Sequence, residues 1–505
     1  MSRCGPARWA FPVLIVALTL ATFLPTLHHE FLNWDDDRNY VDNPHYRGLG
    51  LRELRWMFTT LHMGHYIPVT WITFGLDYLL WGMNPAGYHL TNILFHAATA
   101  LAVYFLSLRL LRLALTAASD RDLRIGATLA TLLFAIHPLR AESVAWVTER
   151  RDVVSGLLYV LAVIAYLKAV DGADRARPKC YWTSVGLFAG ALLSKSIVVS
   201  LPVVLLALDV YPLGRLGGER GWRRRSVWLE KVPYFALGLA AAAVGFLALS
   251  TIGNAPSLAE MGLLYRTVLS IWSLAFYLWK SVMPITLLHL YQLNFTVTWF
   301  HFGAVALLLG LAGLGWRRWP AFTTAAVAYV VTLLPVLGIF QNGPQAAADR
   351  YTYLACLGWA IFLGGLAARP WRGRGVARVV LTVWVLALLP LTWQQVGVWR
   401  NSVTLWSHAV ALAPNNRQAH LNLASAHEAT GHYAAAAAEY EEVVRLSNRL
   451  QGRSKAGLDG LALTASPIAR ALEPGFLQAC EGVVRVARHL GVEPGLRPGC
   501  PRDSH

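Results

Sequence analysis

Charged side chains are scarce in this sequence, 14% of residues, where a soluble domain carries about 25%. With 56% hydrophobic residues beside it, that scarcity excludes an ordinary water-soluble protein and implies a polytopic membrane protein. Acidic residues are scarcer than basic ones, 28 against 44, which leaves a formal charge of +16. The excess does not indicate a nucleic-acid binder, because no basic motif of a known binding fold accompanies it. The Arg and Lys cluster instead in short segments between apolar runs, the positive-inside pattern. Cysteine is nearly absent as well: Cys4, Cys180, Cys356, Cys480 and Cys500 have no metal-ligand spacing. Cys480 and Cys500 are a candidate pair only if the tail faces an oxidising compartment. The first apolar run lacks a small-residue cleavage site and is too long for a signal-peptide core. It is expected to be a retained first span, with Arg3 and Arg8 inside.

What the chain has is long apolar runs, and 20 Trp and 19 Tyr to stand at their membrane interfaces. About 20 apolar residues cross a bilayer as a helix. Expected spans are 9–28, 90–111, 125–139, 153–170, 181–194, 197–212, 233–252, 298–315, 320–340, 351–368 and 377–395. With the N-terminus inside, the basic stretches fall on the cytoplasmic side: Arg109 to Arg124, "DGADRARPK", "GRLGGERGWRRRSVWLEK", "WRRWP" and "RPWRGRGVAR". Residues 263–292 are apolar enough to cross, but crossing would move the later basic loops outside. They are therefore expected as an interfacial or re-entrant helix on the outer side. The spans on either side of "SKS" (194–196) are short, so a broken hairpin is expected. Such breaks are tolerated where backbone lines a polar cavity.

After Trp399 the character changes to alanine-rich, amphipathic helix. Trp406 and Tyr440 are 34 positions apart, the period of a tetratricopeptide repeat. Ala409 and Pro414 fit the end of one unit; Leu423, Ala424, Gly431, Tyr433, Ala436 and Tyr440 fit the next. Three repeats are normally needed for independent stability, so this short array is expected to lean on the membrane part. The plainer alternative is an ordinary helical hairpin. The expected division is 1–398 membrane domain, with 29–88 as its first outer loop, 399–450 tetratricopeptide-like helices, and 451–505 a further helix and a loose tail.

The outer face holds the polar groups that the charge rule leaves over. "FLNWDDDRNY" stacks Asp35, Asp36 and Asp37 directly after the first span. A solvated turn or a helix cap would account for them by composition alone. Yet the rest of that loop contains apolar residues at helical spacing with Trp56, Trp71 and Trp81, which implies surface helices and a rigid platform. "HPLRAESVAWVTERRD" follows at 137–152, Lys195 lies between apolar runs, and "QNGPQAAADRYTY" opens a later span. A lysine at membrane depth is costly and a functional suspect, although snorkelling is its bland explanation. For Arg350 the bland reading is an interface arginine among belt tyrosines. For His137 it is a helix stop, and His65 and His89 are taken as structural.

"NWDDDRNYVDNP", "HPLRAESVAWVTERRD", "LLSKS", "ADRYTYL" and a tetratricopeptide tail, in that order, resemble the transmembrane and tetratricopeptide-repeat-containing O-mannosyltransferase family and its bacterial relatives, within the GT-C glycosyltransferases. The resemblance covers nearly the whole chain and rests on the ordered combination of short motifs. It implies an all-α, polytopic GT-C-type bundle of about 11–12 spans with juxtamembrane helices. It also implies inverting transfer of a monosaccharide, with mannose the candidate, from a polyprenyl-phosphate carrier to a protein Ser/Thr hydroxyl or a glycan on the outer face. Asp35 and Asp36 match the family's acidic pair, either being the candidate base, and Asp37 falls where relatives vary. Glu142 is the candidate second acidic residue. Lys195, Arg350 and Arg151 are candidates to hold the donor phosphate, with Tyr351 and Tyr353 beside it and Asp349, Asp152 and His137 in support. Where the family commonly has Glu after the lysine, this chain has Ser196, so a carboxylate role there has no bearer.

The chemistry suits these residues. A partly desolvated carboxylate can take the proton of the attacking hydroxyl. The phosphate leaving group needs positive charge more than an acid. No metal or other cofactor is expected. The tetratricopeptide segment is expected to hold the acceptor on its concave face. The Ala/Arg/Gly-rich usage suggests a bacterial inner membrane, with the site on the periplasmic side. The rival reading is a non-enzymatic transporter or assembly scaffold, since broken helices and intramembrane charge also mark transporters. A ring of Asp36, Lys195 and Arg350 around one outer cavity would separate the two.

Overall fold

The computed structural model describes residues 7–171, 177–251, 261–293, 295–339, 345–455 and 466–490. Helix dominates. The one strand pairing among the described residues joins Tyr291–Gln292 to Gln345–Ala347, antiparallel. Every segment expected to span is mainly helical over its described residues. Five helices are long and apolar enough to cross by themselves: Trp9–His28, Pro85–Ala114, Val147–Asp171, Arg225–Ser250 and Arg374–Val398. Two more are bent pairs, Asp120–Ala135 with Pro138–Ala145 at 56° and Asp349–Ala355 with Leu357–Ala368 at 52°. The other four are shorter, Arg177–Leu192, Ser196–Val210, Trp299–Gly315 and Pro320–Val336. At 1.5 Å per residue such helices cover only part of a hydrocarbon core of about 30 Å. The Leu263–Val282 helix, which carries buried Arg266 and Lys280, is not among the helices apolar enough to cross.

The segments sort to two ends. At one end the basic loops meet each other. Asp122 holds Arg374 at 2.9 Å and Arg378 at 2.5 Å. Glu230 holds Arg177 at 2.8 Å and Arg215 at 2.6 Å. A buried Lys231–Asp209 pair at 2.7 Å, shared with the Tyr166 hydroxyl, completes that end. At the other end lie the acidic loop, the 137–152 segment, Lys195 and Asp349–Tyr351.

One core runs from Ile15 through the Pro85–Ala114, Asp120–Ala135 and Arg150–Asp171 helices to Trp399, Trp406 and Leu423. One close crossing within it is between Asp120–Ala135 and Leu357–Ala368. Gly126 and Gly364 face each other there so closely that a Cβ on either would strike the other's carbonyl. Small residues at such a crossing let helix backbones approach and pack.

The first outer loop is folded, with helices Leu51–Thr59 and Pro68–Trp81. Tyr40, Tyr46, Trp71, Phe74 and Tyr88 form a buried aromatic cluster beneath them. Buried Arg150 pins this platform to the bundle. It pairs with Asp77 and donates to the Tyr88 carbonyl (2.6 Å) and Asn92 Oδ1 (2.7 Å).

The C-terminal helices Ser402–Leu412, Arg417–Ala429, Tyr433–Lys455 and Ser466–His489 pack as antiparallel neighbours. Asn401 and Asn416 cap the first two through their side chains. Cys480 is disulfide-bonded; Cys500 lies outside the described residues, as do Arg3 and the chain's last fifteen positions.

Candidate active site

The acidic loop is fixed residue by residue. After the first span, the chain turns at Asn33–Asp36 and enters a single π-helical turn, Asp37–Val41. Asp36 is fully buried. Its Oδ2 accepts the Leu32 N–H at 3.1 Å, and its Oδ1 accepts the Thr148 N–H at 3.0 Å and the Thr148 hydroxyl at 2.6 Å. It is the clasp between the first and second outer segments. Burial pushes its carboxyl up to about 7, against the pull of those three hydrogen bonds.

Asp35 is different. Its φ is +66°, left-handed backbone that a non-glycine residue adopts only when its surroundings impose it. It is half-buried, and no hydrogen bond to its carboxylate is among those the structure shows. Burial raises its pKa, while Arg151 and Arg350 nearby pull it back down. Asp37 only caps the Arg38 N–H, at 2.9 Å.

Behind Asp35 stands a network centred on Glu149. This carboxylate accepts from Arg151 Nη2 (2.7 Å), Lys195 Nζ (2.7 Å) and Arg350 Nε (3.2 Å). Glu142 takes the other side of Arg350, from Nη1 at 2.5 Å and from the backbone N–H at 2.8 Å. Asp152 takes Lys195 at 2.7 Å and the Ser143 hydroxyl at 3.0 Å. The arrangement is layered. The Glu149, Glu142 and Asp152 side chains are 0%, 3% and 6% exposed, whereas Arg151, Lys195 and Arg350 are 10%, 11% and 10% exposed. Carboxylates form the back wall and hold three cations that are slightly more exposed than they are. That geometry can receive an anion without reorganising the wall.

Local chain geometry explains how distant residues arrive together. Lys195 sits at the break after Arg177–Leu192, in extended backbone. Two carbonyls there, Leu193 and Ser194, are taken by the Val69 N–H and the Thr70 hydroxyl of the first loop. Arg350 opens the bent pair at Asp349. Its guanidinium lies 5.6 Å from the Trp146 ring centre and 5.1 Å from that of Tyr351. Asp349 accepts from the Tyr291 hydroxyl at 3.0 Å, beside the short strand pair.

Not every candidate joins the cluster. Tyr353 points into the bundle, where its hydroxyl meets His96 Nδ1 at 2.8 Å and its ring covers Gly156. His137 caps its own turn by accepting the Leu139 N–H and meets the Ser281 carbonyl. Two neighbours, Glu149 and His289, were not singled out from sequence, and a third, His65, was taken as structural. Glu149 is the hub. His65 lies among Arg151, Glu149, Lys195 and Arg350, and burial with that positive surround lowers it to about 3, so it stays neutral. His289 is buried against Trp34 and Trp406. The signal for Glu149 was present, a carboxylate directly before two arginines at a span's start. Among the described residues no group of three or more His, Cys, Asp or Glu is arranged to hold a metal ion.

No family profile matches the chain, and no solved structure does. Curated relatives do. Protein O-mannosyl-transferase TMTC1 of Homo sapiens is 24% identical over 506 aligned positions, 88% of this chain and 56% of that protein. Protein O-mannosyl-transferase TMTC4 of Homo sapiens is 25% identical over 409, 71% of this chain and 55% of that protein. Protein O-mannosyl-transferase Tmtc3 of Drosophila melanogaster reaches 31%, over 159 positions that are 29% of this chain. The chain spans little more than half the length of the two human relatives. Over most of its length this chain is similar to the protein O-mannosyl-transferases named TMTC1 and TMTC4.

Proposed function

We propose that the chain is a membrane glycosyltransferase that moves mannose from a polyprenyl-phosphate donor to a protein Ser or Thr hydroxyl on the non-cytoplasmic face. The names of its relatives, protein O-mannosyl-transferases, support the reaction class. The observation that carries the reading is Asp35: a carboxylate without a hydrogen bond among the described residues, held in left-handed backbone, near Arg151 and Arg350.

Asp35 is the base. It accepts the acceptor's hydroxyl proton as that oxygen forms a bond to the anomeric carbon. The bond from that carbon to the phosphate oxygen breaks on the opposite side, giving inversion, and the electron pair leaves with the polyprenyl phosphate. Arg151, Lys195 and Arg350 hold that phosphate and stabilise the charge it gains, Arg350 suiting a bidentate contact. Asp36 keeps the loop attached to Thr148, and Glu142, Glu149 and Asp152 orient the cations. The disulfide at Cys480 supports an oxidising, non-cytoplasmic location for the C-terminal helices. In a bacterium that location is the periplasmic side of the inner membrane. The C-terminal helices present the acceptor.

The test is transfer of labelled mannose from polyprenyl-phosphate mannose to Ser/Thr peptides by the purified full chain. Wild type should transfer, and Asp35→Asn should lose about 10²–10⁴-fold in turnover, the worth of a positioned general base. Equal turnover by both removes Asp35 from the mechanism. Absence of transfer by wild type from every polyprenyl-phosphate sugar favours the transporter or scaffold.

A further inference from the structure

The contacts of Asn33 point beyond this reading. Three of its four polar groups go to the C-terminal helices, some 370 positions away in the chain. Its backbone N–H donates to Ser402 Oγ at 3.0 Å, its Nδ2 donates to the Asn422 carbonyl at 3.0 Å, and its Oδ1 accepts the Trp406 indole N–H at 2.6 Å. Nearby, the Glu30 N–H donates to the Arg400 carbonyl at 3.0 Å. The next residue, Trp34, lies edge to face with Trp406 at 5.2 Å and with His289 at 5.6 Å. Its carbonyl accepts the Trp146 indole N–H at 2.9 Å.

Asp35 is therefore bracketed. Asn33 is held by the C-terminal helices, Trp34 by those helices and Trp146, and Asp36 by Thr148. Between three clamped residues the chain has little choice, and the left-handed φ at Asp35 is what closes the path. Strained backbone persists only where its surroundings over-determine it. Trp406 is fully buried in the membrane core and not among the C-terminal helices' own core residues.

We propose that Asn33 is a positioning residue, and that Ser402, Trp406 and Asn422 of the C-terminal helices set the Asp35 carboxylate through it. On this view the tetratricopeptide-like segment completes the catalytic loop, apart from any part it plays in holding the acceptor. The proposal rests on Asp35 being the base. The donor-holding cations stand on other segments, so loosening Asn33 should move the base and spare donor binding.

The experiment uses the purified full chain with Ser402→Ala, Ser402→Thr and Trp406→Phe. Ser402→Ala removes the hydroxyl, Ser402→Thr keeps it, and Trp406→Phe keeps an aromatic ring while losing the indole N–H. Expected for Ser402→Ala and Trp406→Phe is a fall of about tenfold or more in kcat, the scale of misplacing a reacting group. Donor KM should stay within about twofold, because ground-state binding is untouched. Ser402→Thr should restore kcat. Unchanged kcat in both variants overturns the proposal, as does a parallel rise in donor KM with lowered thermal stability that Ser402→Thr does not rescue. Amide hydrogen exchange of residues 31–40 gives a readout independent of turnover. Faster exchange there in Trp406→Phe, with residues 141–152 unchanged, is expected; unchanged exchange overturns the positioning role. If wild type transfers no sugar, the functional reading falls by itself and the exchange result still decides the placement of the loop.

Discussion

Two adjacent aspartates of the same type have opposite surroundings, and those surroundings decide what each can do. Asp36 is consumed by three donors. Asp35 has no hydrogen bond to its carboxylate among the described residues, and burial raises its pKa above the 3.8 of an ordinary aspartate while Arg151 and Arg350 pull it back down. A base works only when ionised, so activity should be full above the pKa of Asp35 in the folded protein and lost as pH falls through it. The acid limb of kcat/KM should therefore lie above pH 3.8, and it should vanish from the residual rate of Asp35→Asn. A pH–rate profile checks both. Glu149 carries a different consequence. It is the buried shared partner of three cations, so Glu149→Gln leaves them undercompensated. Breaking such a buried network costs about 3–5 kcal/mol. A lower thermal midpoint of the purified protein and a raised donor KM are expected together. A wild-type midpoint would show that the cations do not depend on this carboxylate.

At the scale of elements, the site is held by breaks and close approaches. The chain stops being helical at Leu193–Lys195, and the first loop takes up the carbonyls that this frees. The crossing of Asp120–Ala135 with Leu357–Ala368 sets the approach of the bent helical pair that carries Arg350. Gly364→Val drives a side chain into the Gly126 carbonyl, and overpacking of that kind costs about 1–3 kcal/mol or more. Reduced thermal stability and reduced transfer are expected, while Gly303→Val, where an added Cβ meets nothing within 4 Å, should leave both unchanged. Elements also explain what was legible in the sequence. Apolar runs announce helices whatever their partners, so all the expected spans are mainly helical over their described residues. Their lengths were less legible, because four are short and two are bent pairs. Tyr351 and Tyr353 looked equivalent, but two positions along a helical turn place side chains on nearly opposite faces. Only Tyr351 meets Arg350, and Tyr353 goes to His96. Glu149 was obscured because a carboxylate beside two arginines looks like a solvated charge run until Lys195 and Arg350 arrive from elsewhere. The left-handed backbone of Asp35 has no sequence signature, since the contacts that impose it come from Thr148, Trp146 and Trp406.

For the whole molecule, the two ends are chemically distinct. Basic loops pair with one another at one end, and the carboxylate, the three cations and the C-terminal helices gather at the other. The positive-inside rule predicts that the first end faces the cytoplasm, and the proposed reaction requires the acidic loop to lie on the opposite side. Sidedness is thus the claim on which the reaction depends. The direct measurement is labelling by a membrane-impermeant maleimide of single thiols at two exposed positions, Arg38→Cys beside Asp35 and Arg223→Cys among the basic loops, in a background lacking other free thiols. Arg38→Cys should react only from the non-cytoplasmic side and Arg223→Cys only from the cytoplasm; labelling of Arg38→Cys from the cytoplasm would contradict the account.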